Sequence, residues 1–127
     1  MTVFERLAFL GLAGACGTLA RYGMSALVQR FSGASFPWGT FAVNMTGCFL
    51  FGVVWTLAGE RMVLGSEARL LILTGFMGAF TTFSTFMAES GMLLVDFQWL
   101  SGLANLAGQN IIGLAAFFLG QAAGRWL

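Results

Sequence analysis

The side chains able to do proton, metal or ion chemistry are few: six arginines and five carboxylates in 127 residues, with no lysine and no histidine. Histidine is the commonest general base, proton shuttle and transition-metal ligand, so Ser–His hydrolysis, His-metal sites and imidazole relays are excluded. What remains is polar and mostly uncharged. Thr40 and Asn44 stand four apart, on one face of any helix that carries them. Such a pair is either interhelical hydrogen-bonding glue or a set of donors lining a pore. Thr81, Ser84, Thr85 and Ala88 recur at i, i+3, i+4 and i+7, and Phe76, Phe80 and Phe83, continued by Phe86, form a second face. Hydroxyls in membrane helices often only bond back to their own backbone, so spacing alone leaves both readings open. Arg21 and Glu89 lie among apolar residues. An ionisable group at membrane depth costs at least ~2.5 kcal/mol and marks a pathway, unless Arg21 snorkels to the head groups or Glu89 sits at a helix end. Asn105, Gln109 and Gly113 follow at i, i+4 and i+8, an amide stripe that should face protein.

Those groups sit in a chain that is 58% hydrophobic and 9% charged. A soluble domain carries about 25% charged residues, so most of this exterior must face a lipid bilayer. The net charge of +1, with no basic cluster, gives no footprint for nucleic acid or for strong binding to anionic head groups. Transport, scaffolding or unusual membrane enzymology remain.

The charges divide the chain into four apolar segments near the ~20 residues that cross ~30 Å of hydrocarbon. The first follows Arg6, and its uncharged part, residues 7–20, is short unless the helix runs through Arg21 to about Val28. No small-residue cleavage site follows at signal-peptide spacing, so this run is expected to be retained. The second, residues 38–58, starts after the only proline, Pro37, and carries no charge. The third lies between Arg69 and Asp96; its centre is crowded with glycine and β-branched threonine, poor material for an uninterrupted helix. A break near residues 75–82 is expected, tolerated at membrane depth only where protein or a water-filled cavity satisfies the freed backbone. The fourth lies between Asp96 and Arg125.

The expected fold is therefore all-α and integral to the membrane: one domain, residues 1–127, of four transmembrane helices with the third broken near its middle. Four spans put both termini on one side with the 60–69 loop, giving that side Arg6, Arg61, Arg69 and Arg125 against Arg30, joined by Arg21 if it reaches the opposite rim. So weak a positive-inside bias allows mixed insertion and an antiparallel dimer of oppositely oriented copies. Cys16 and Cys48 lie in apolar runs and are expected as buried small hydrophobes, without a disulfide.

Three stretches together resemble one family. Gly14, Gly17, Arg21 and Tyr22 in the first segment, Trp38, Gly39, Thr40, Asn44 and Gly47 in the second, and the run of residues 74–86 (TGFMGAFTTFSTF) in the third resemble the Fluc (CrcB) fluoride channels. The resemblance spans essentially the whole chain, and the third motif is its most specific part. It implies an antiparallel, dual-topology homodimer with two pores that exports fluoride passively through the microbial inner membrane. By the same resemblance Asn44 would line the pore, Phe83 and Phe86 would supply an aromatic pair that fluoride passes, and Arg21 would give a vestibule positive potential; Thr40, Ser84 and Thr85 join the pore candidates as hydroxyl donors on the same faces. The backbone carbonyls of Gly78 and Thr81 would hold a structural sodium ion on the dimer axis, and Glu89 matches an acidic position late in this helix. The chain departs from the pattern at Met87, where many members have a small hydroxyl residue, and at Asn105 and Gln109, where Tyr and Ser are usual. Those two amides are carried as pore candidates.

The chemistry suits the ion. Fluoride is small and tightly hydrated, so a pore must replace its water with convergent donors, such as hydroxyls and the Asn44 amide. A phenyl ring has a positive edge, so Phe83 and Phe86 can offer C–H edges without a full charge. Carbonyl oxygens meet a hard cation's demand. The rival reading is a small dual-topology proton-coupled antiporter for lipophilic cations, which would use Glu89 and an aromatic cage. A third is a scaffold subunit without flux.

Overall fold

The computed structural model describes residues 1–33 and 35–127. Among these, every regular element is helical and four stretches are long and apolar enough to cross a membrane. The first is α1, Val3–Ser32, which passes through Arg21 as its length requires. Thr2 and Glu5 start it with a reciprocal capping box: Glu5 N donates to Thr2 Oγ1 (3.2 Å) and Thr2 N to Glu5 Oε2 (2.8 Å). Gly33, at φ 86°, ends it in a conformation that L side chains rarely adopt.

The second pass, α2 (Trp38–Gly59), opens just after Pro37, whose fixed φ and missing N–H suit a helix start. It packs most extensively on the last pass, α6 (Trp99–Trp126). That contact is close because of glycine. A Cβ on Gly52 would collide with the Phe117 carbonyl, and one on Gly120 with the Phe49 carbonyl, the small-residue packing that apolar helices use in place of a hydrophobic driving force. The amide stripe expected on α6 is buried here, Asn105, Gln109 and Gly113 all facing protein.

The third pass, Ser66–Val95, is composite. A short α3 (Ser66–Arg69) leads into a wide π-helical stretch, Leu70–Met77, and then α4 (Gly78–Phe80). Thr81 (ψ 159°) and Thr82 (φ −147°, ψ 108°) are extended, and α5 (Phe83–Val95) resumes the path. The break thus falls at the end of the expected 75–82 window. Gly75 and Gly78 remain helical; two β-branched residues take the extended conformation that suits them.

The break revises two face assignments. Thr81, the cap that ends α4, turns its side chain back to that helix, Oγ1 donating to the Met77 carbonyl (3.1 Å), so it does not share a face with Ser84 and Thr85. The phenylalanines separate into Phe76–Phe80, stacked with centroids 5.7 Å apart, and Phe83–Phe86, edge-on at 5.8 Å. The cysteines depart from expectation as well: Cys16 is exposed because it lies on an outward face of α1, and Cys48 is half-buried.

One end of the bundle collects the charges. Arg6 pairs with Glu67 at 2.6 Å, Arg125 grips both oxygens of Glu60 at 2.9 and 3.1 Å, and Arg61 donates to the Arg125 carbonyl at 2.8 Å. Both termini and the 60–69 loop therefore meet at one rim, while Arg69 stacks over Trp55 at 4.4 Å.

Candidate functional site

The break in the third pass frees backbone groups, and side chains from other helices take them up. In an unbroken helix the Thr82 N–H would bond to the Gly78 carbonyl; here it donates to Asn44 Oδ1 at 2.9 Å, while Asn44 Nδ2 donates to the Thr82 carbonyl at 3.2 Å. One amide on α2 thus holds both polar groups of one residue, as a neighbouring strand would. Gly47, one turn further along α2, leaves room for this, since a Cβ there would strike the Thr81 methyl.

On the far side of the break, Thr82 caps α5. Its Oγ1 accepts from Thr85 N at 3.3 Å and donates to Thr85 Oγ1 at 2.9 Å. On the near side, Arg21 donates from Nε to the Ala79 carbonyl at 3.0 Å. A guanidinium at the last carbonyls of a helix complements the negative end of its dipole, so the charge is placed at the break within the span.

From Asn44 a hydrogen-bonded path runs across to α6 and back to α5. Asn44 Nδ2 donates to Gln109 Oε1 (2.7 Å), Gln109 Nε2 to Asn105 Oδ1 (3.1 Å), Asn105 Nδ2 to Ser90 Oγ (2.9 Å), and Ser90 Oγ to the Phe86 carbonyl (2.8 Å). Asn105 and Ser90 are fully buried. Beside this path an open groove of about 520 Å³ runs between α2, α6 and the break, with Asn44, Thr82, Phe83, Phe86, Gln109 and Cys48 on its wall.

Of the residues singled out in the sequence, the groove gathers Asn44, Phe83, Phe86 and Gln109, with Thr81 beside them. Phe86 is buried, but Phe83 is 74% exposed and turns its ring outward. Thr40 and Glu89 are elsewhere. Thr40 Oγ1 donates to Glu89 Oε1 at 2.8 Å, and both line a separate cavity with Gln29, Asp96 and residues 35–37. Glu89 Oε2 is buried without a partner among the described residues. Ser84 points outward and is exposed, Thr85 is taken up in the cap, and Asn105 lies behind the groove wall. Gly78 and Thr81 flank the break with their carbonyls.

Thr82 and Ser90 were not among the residues singled out, though both hold the site together. Thr82 carried a signal, a threonine three residues before Thr85 at the point where glycine and threonine end and a regular apolar run begins. Ser90 carried none, since its partner is fifteen residues away on another helix.

The model of one protein family, described as "CrcB-like protein, Camphor Resistance (CrcB)", matches residues 8–121. The chain belongs to the CrcB family. It is 60% identical over 123 residues to a protein of Solidesulfovibrio magneticus named fluoride-specific ion channel FluC, covering 97% of this chain and 98% of that one. It is 56% identical over 118 residues to the protein of the same name from Nitrosococcus oceani (93% and 94% covered) and 48% identical over 121 residues to that of Desulforapulum autotrophicum (95% and 97%). These relatives are named as ion channels, and their family is not one of enzymes. With four apolar passes and channel relatives, the chain is a multi-pass membrane protein.

Proposed function

We propose that this protein is a fluoride-selective channel of the inner membrane that lets fluoride leave the cell passively, as an antiparallel dimer with two pores. The observation that carries the reading is the groove at the break: side-chain amides, with a Gln109 N–H to spare, and phenyl rings without a formal charge, in a chain whose relatives are named for fluoride. Fluoride gives up hydration only to convergent donors, and a fixed arginine in the path would bind it too tightly to release it. The groove wall has no arginine; Arg21 is tied to Ala79, outside that wall.

A second copy suits the surfaces. Phe83 is 74% exposed and the groove is open on one side, so one chain supplies part of an enclosed path and another chain is needed to close it. The carbonyls of Gly78 and Thr81 fit a sodium ion, since they are hard oxygen donors at a helix break and Gly78 has lost the amide that an unbroken helix would give it. Two oxygens from one chain are few for a hard cation, and a second copy meeting the first at the break would bring two more. Such an ion would supply positive charge and hold the two broken passes together.

The antiporter reading finds less support. Glu89 holds Thr40 in a cavity away from the groove and its aromatic rings, so proton and cation sites would be separated.

Flux from purified protein in liposomes, followed with a fluoride electrode, tests the proposal. Phe83→Ile and Phe86→Ile should each lower flux about tenfold or more, on the order of one lost ring-edge contact, while Glu89→Gln leaves it nearly intact. Flux that survives both phenylalanine changes and disappears in Glu89→Gln supports the antiporter; no flux from wild type supports the scaffold. Labelling of an added C-terminal cysteine in intact cells should find it on both sides, and labelling on one side alone refutes the antiparallel arrangement.

A further inference from the structure

The amides of Asn44, Gln109 and Asn105 form a chain whose ends leave no choice of direction. A side-chain amide has nearly isosteric oxygen and nitrogen ends, so among other amides it can be turned either way. Here each end of the chain is fixed by a group that cannot be turned. The Thr82 N–H, which only donates, meets Asn44 Oδ1 at 2.9 Å. The Phe86 carbonyl, which only accepts, takes the Ser90 hydroxyl hydrogen at 2.8 Å and leaves Ser90 Oγ as an acceptor.

The rest follows by elimination. Asn105 must turn its nitrogen to Ser90 (2.9 Å) and its oxygen to Gln109, whose nitrogen donates to it at 3.1 Å. Gln109 must then turn its oxygen to Asn44 (2.7 Å). Every link donates in the same sense, from the groove inward to Phe86. Both Asn44 amide hydrogens are used, on Gln109 and on the Thr82 carbonyl. Gln109, on the groove wall, gives one hydrogen to Asn105 and keeps the other. If Gln109 were flipped, its NH2 would oppose that of Asn44, and Asn44 would have to release the backbone at the break.

We propose that Ser90 and Asn105, neither of them on the groove wall, are positioning residues that lock the polarity of the Gln109–Asn44 amide pair and keep a Gln109 N–H available to an anion in the groove. The inference rests on the fluoride reading above for its function, but not for its geometry. Ser90 terminates the lock. Its hydroxyl donates to the Phe86 carbonyl and so presents an acceptor to Asn105; without it Asn105 Nδ2 loses that acceptor and the chain is held from the Asn44 end alone. Asn105 transmits that choice across the α5–α6 contact.

The test uses the full-length protein, with Ser90→Ala, Ser90→Thr, Asn105→Leu and the Ser90→Ala/Asn105→Leu double variant. Fluoride and chloride flux are measured in liposomes, and the side-chain amide resonances of Gln109 are followed by NMR in detergent. Ser90→Ala and Asn105→Leu should each lower the fluoride-to-chloride flux ratio about tenfold, the scale of one net hydrogen bond. The double variant should be no worse than the worse single, because both act in series on one chain. Ser90→Thr keeps the hydroxyl and should restore both the ratio and the Gln109 resonances that Ser90→Ala moves. Additive losses, or wild-type selectivity with unmoved Gln109 resonances in Ser90→Ala, would overturn the lock. A wild-type protein without fluoride flux would instead refute the fluoride reading, and the resonances would still decide the geometry.

Discussion

The α2–α6 pair and the third pass are both rich in glycine, yet the pair stays helical throughout and the third pass breaks. In the pair, Gly52 and Gly120 bring each backbone onto a carbonyl of the other helix, and every helix keeps its own ladder. In the third pass, Gly75 and Gly78 also stay helical, with Gly75 close enough to Ala13 that a Cβ would lie 2.8 Å from its methyl. The chain opens instead at Thr81–Thr82, opposite Asn44. Gly52, Gly120 and Gly75 therefore mark close approach, and the break lies where a neighbouring amide can replace the lost backbone partners. In a solvent that offers no hydrogen bonds, a helix can open only where such a partner is already placed.

Removing that partner should have the largest effect. Asn44→Ala leaves the Thr82 N–H and carbonyl without their partners, at roughly 1–3 kcal/mol for each buried group, and should abolish fluoride flux while lowering the midpoint of detergent unfolding. Asn44→Asp keeps an acceptor for the Thr82 N–H but loses both donors and adds a carboxylate that repels an anion and is costly to bury. It should lose flux as completely with less loss of stability. Wild-type flux and stability in Asn44→Ala would show that the break holds itself open and would end the comparison.

An intermediate effect is expected in the pair. Gly120→Ala drives a methyl into the Phe49 carbonyl, overpacking that costs about 1–3 kcal/mol. Stability should fall while flux per folded channel remains, because Gly120 is not on the groove wall and stands eleven residues, about three turns, from Gln109, with only Phe117 at the groove's near end within one turn. Equal loss of flux per folded channel would mean that the pair also shapes the path.

The smallest effect belongs to the charged rim. The Arg125 hydrogen bond, aided by its charge, holds the Glu60 carboxyl below its ordinary value. A depressed carboxylate contributes stability above its unfolded pKa of about 4.3 and loses it as pH falls through the folded value. Glu60→Gln should therefore differ slightly from wild type in unfolding midpoint at neutral pH and converge with it in acid. Because the pair is exposed, added salt should shrink the neutral-pH difference.

Much of this was legible in the residues. Four apolar runs bounded by charges gave the passes, glycine with threonine gave a break in the third, and an i, i+4, i+8 stripe gave the buried face of α6. The motifs in order gave the family. The position of the break within its window was not legible, since propensity points to Gly75 and Gly78 and the partner of Thr82 is thirty-eight residues away. Nor was the separation of Thr40 and Glu89 from the groove, although Thr40 and Asn44 are one turn apart on α2; a helix face is wide enough to serve two cavities.

The sequence alone determined the solvent, the number of passes and the chemical character of the site, because each depends on residue type and local period. A chain with no histidine and eleven charges must meet lipid and must work with neutral donors. Only the tertiary structure decided which donors converge and which way each amide points. That choice is made by the two fixed groups at the ends of the hydrogen-bonded chain, the Thr82 N–H and the Phe86 carbonyl, which come together only once α2, α5 and α6 are packed.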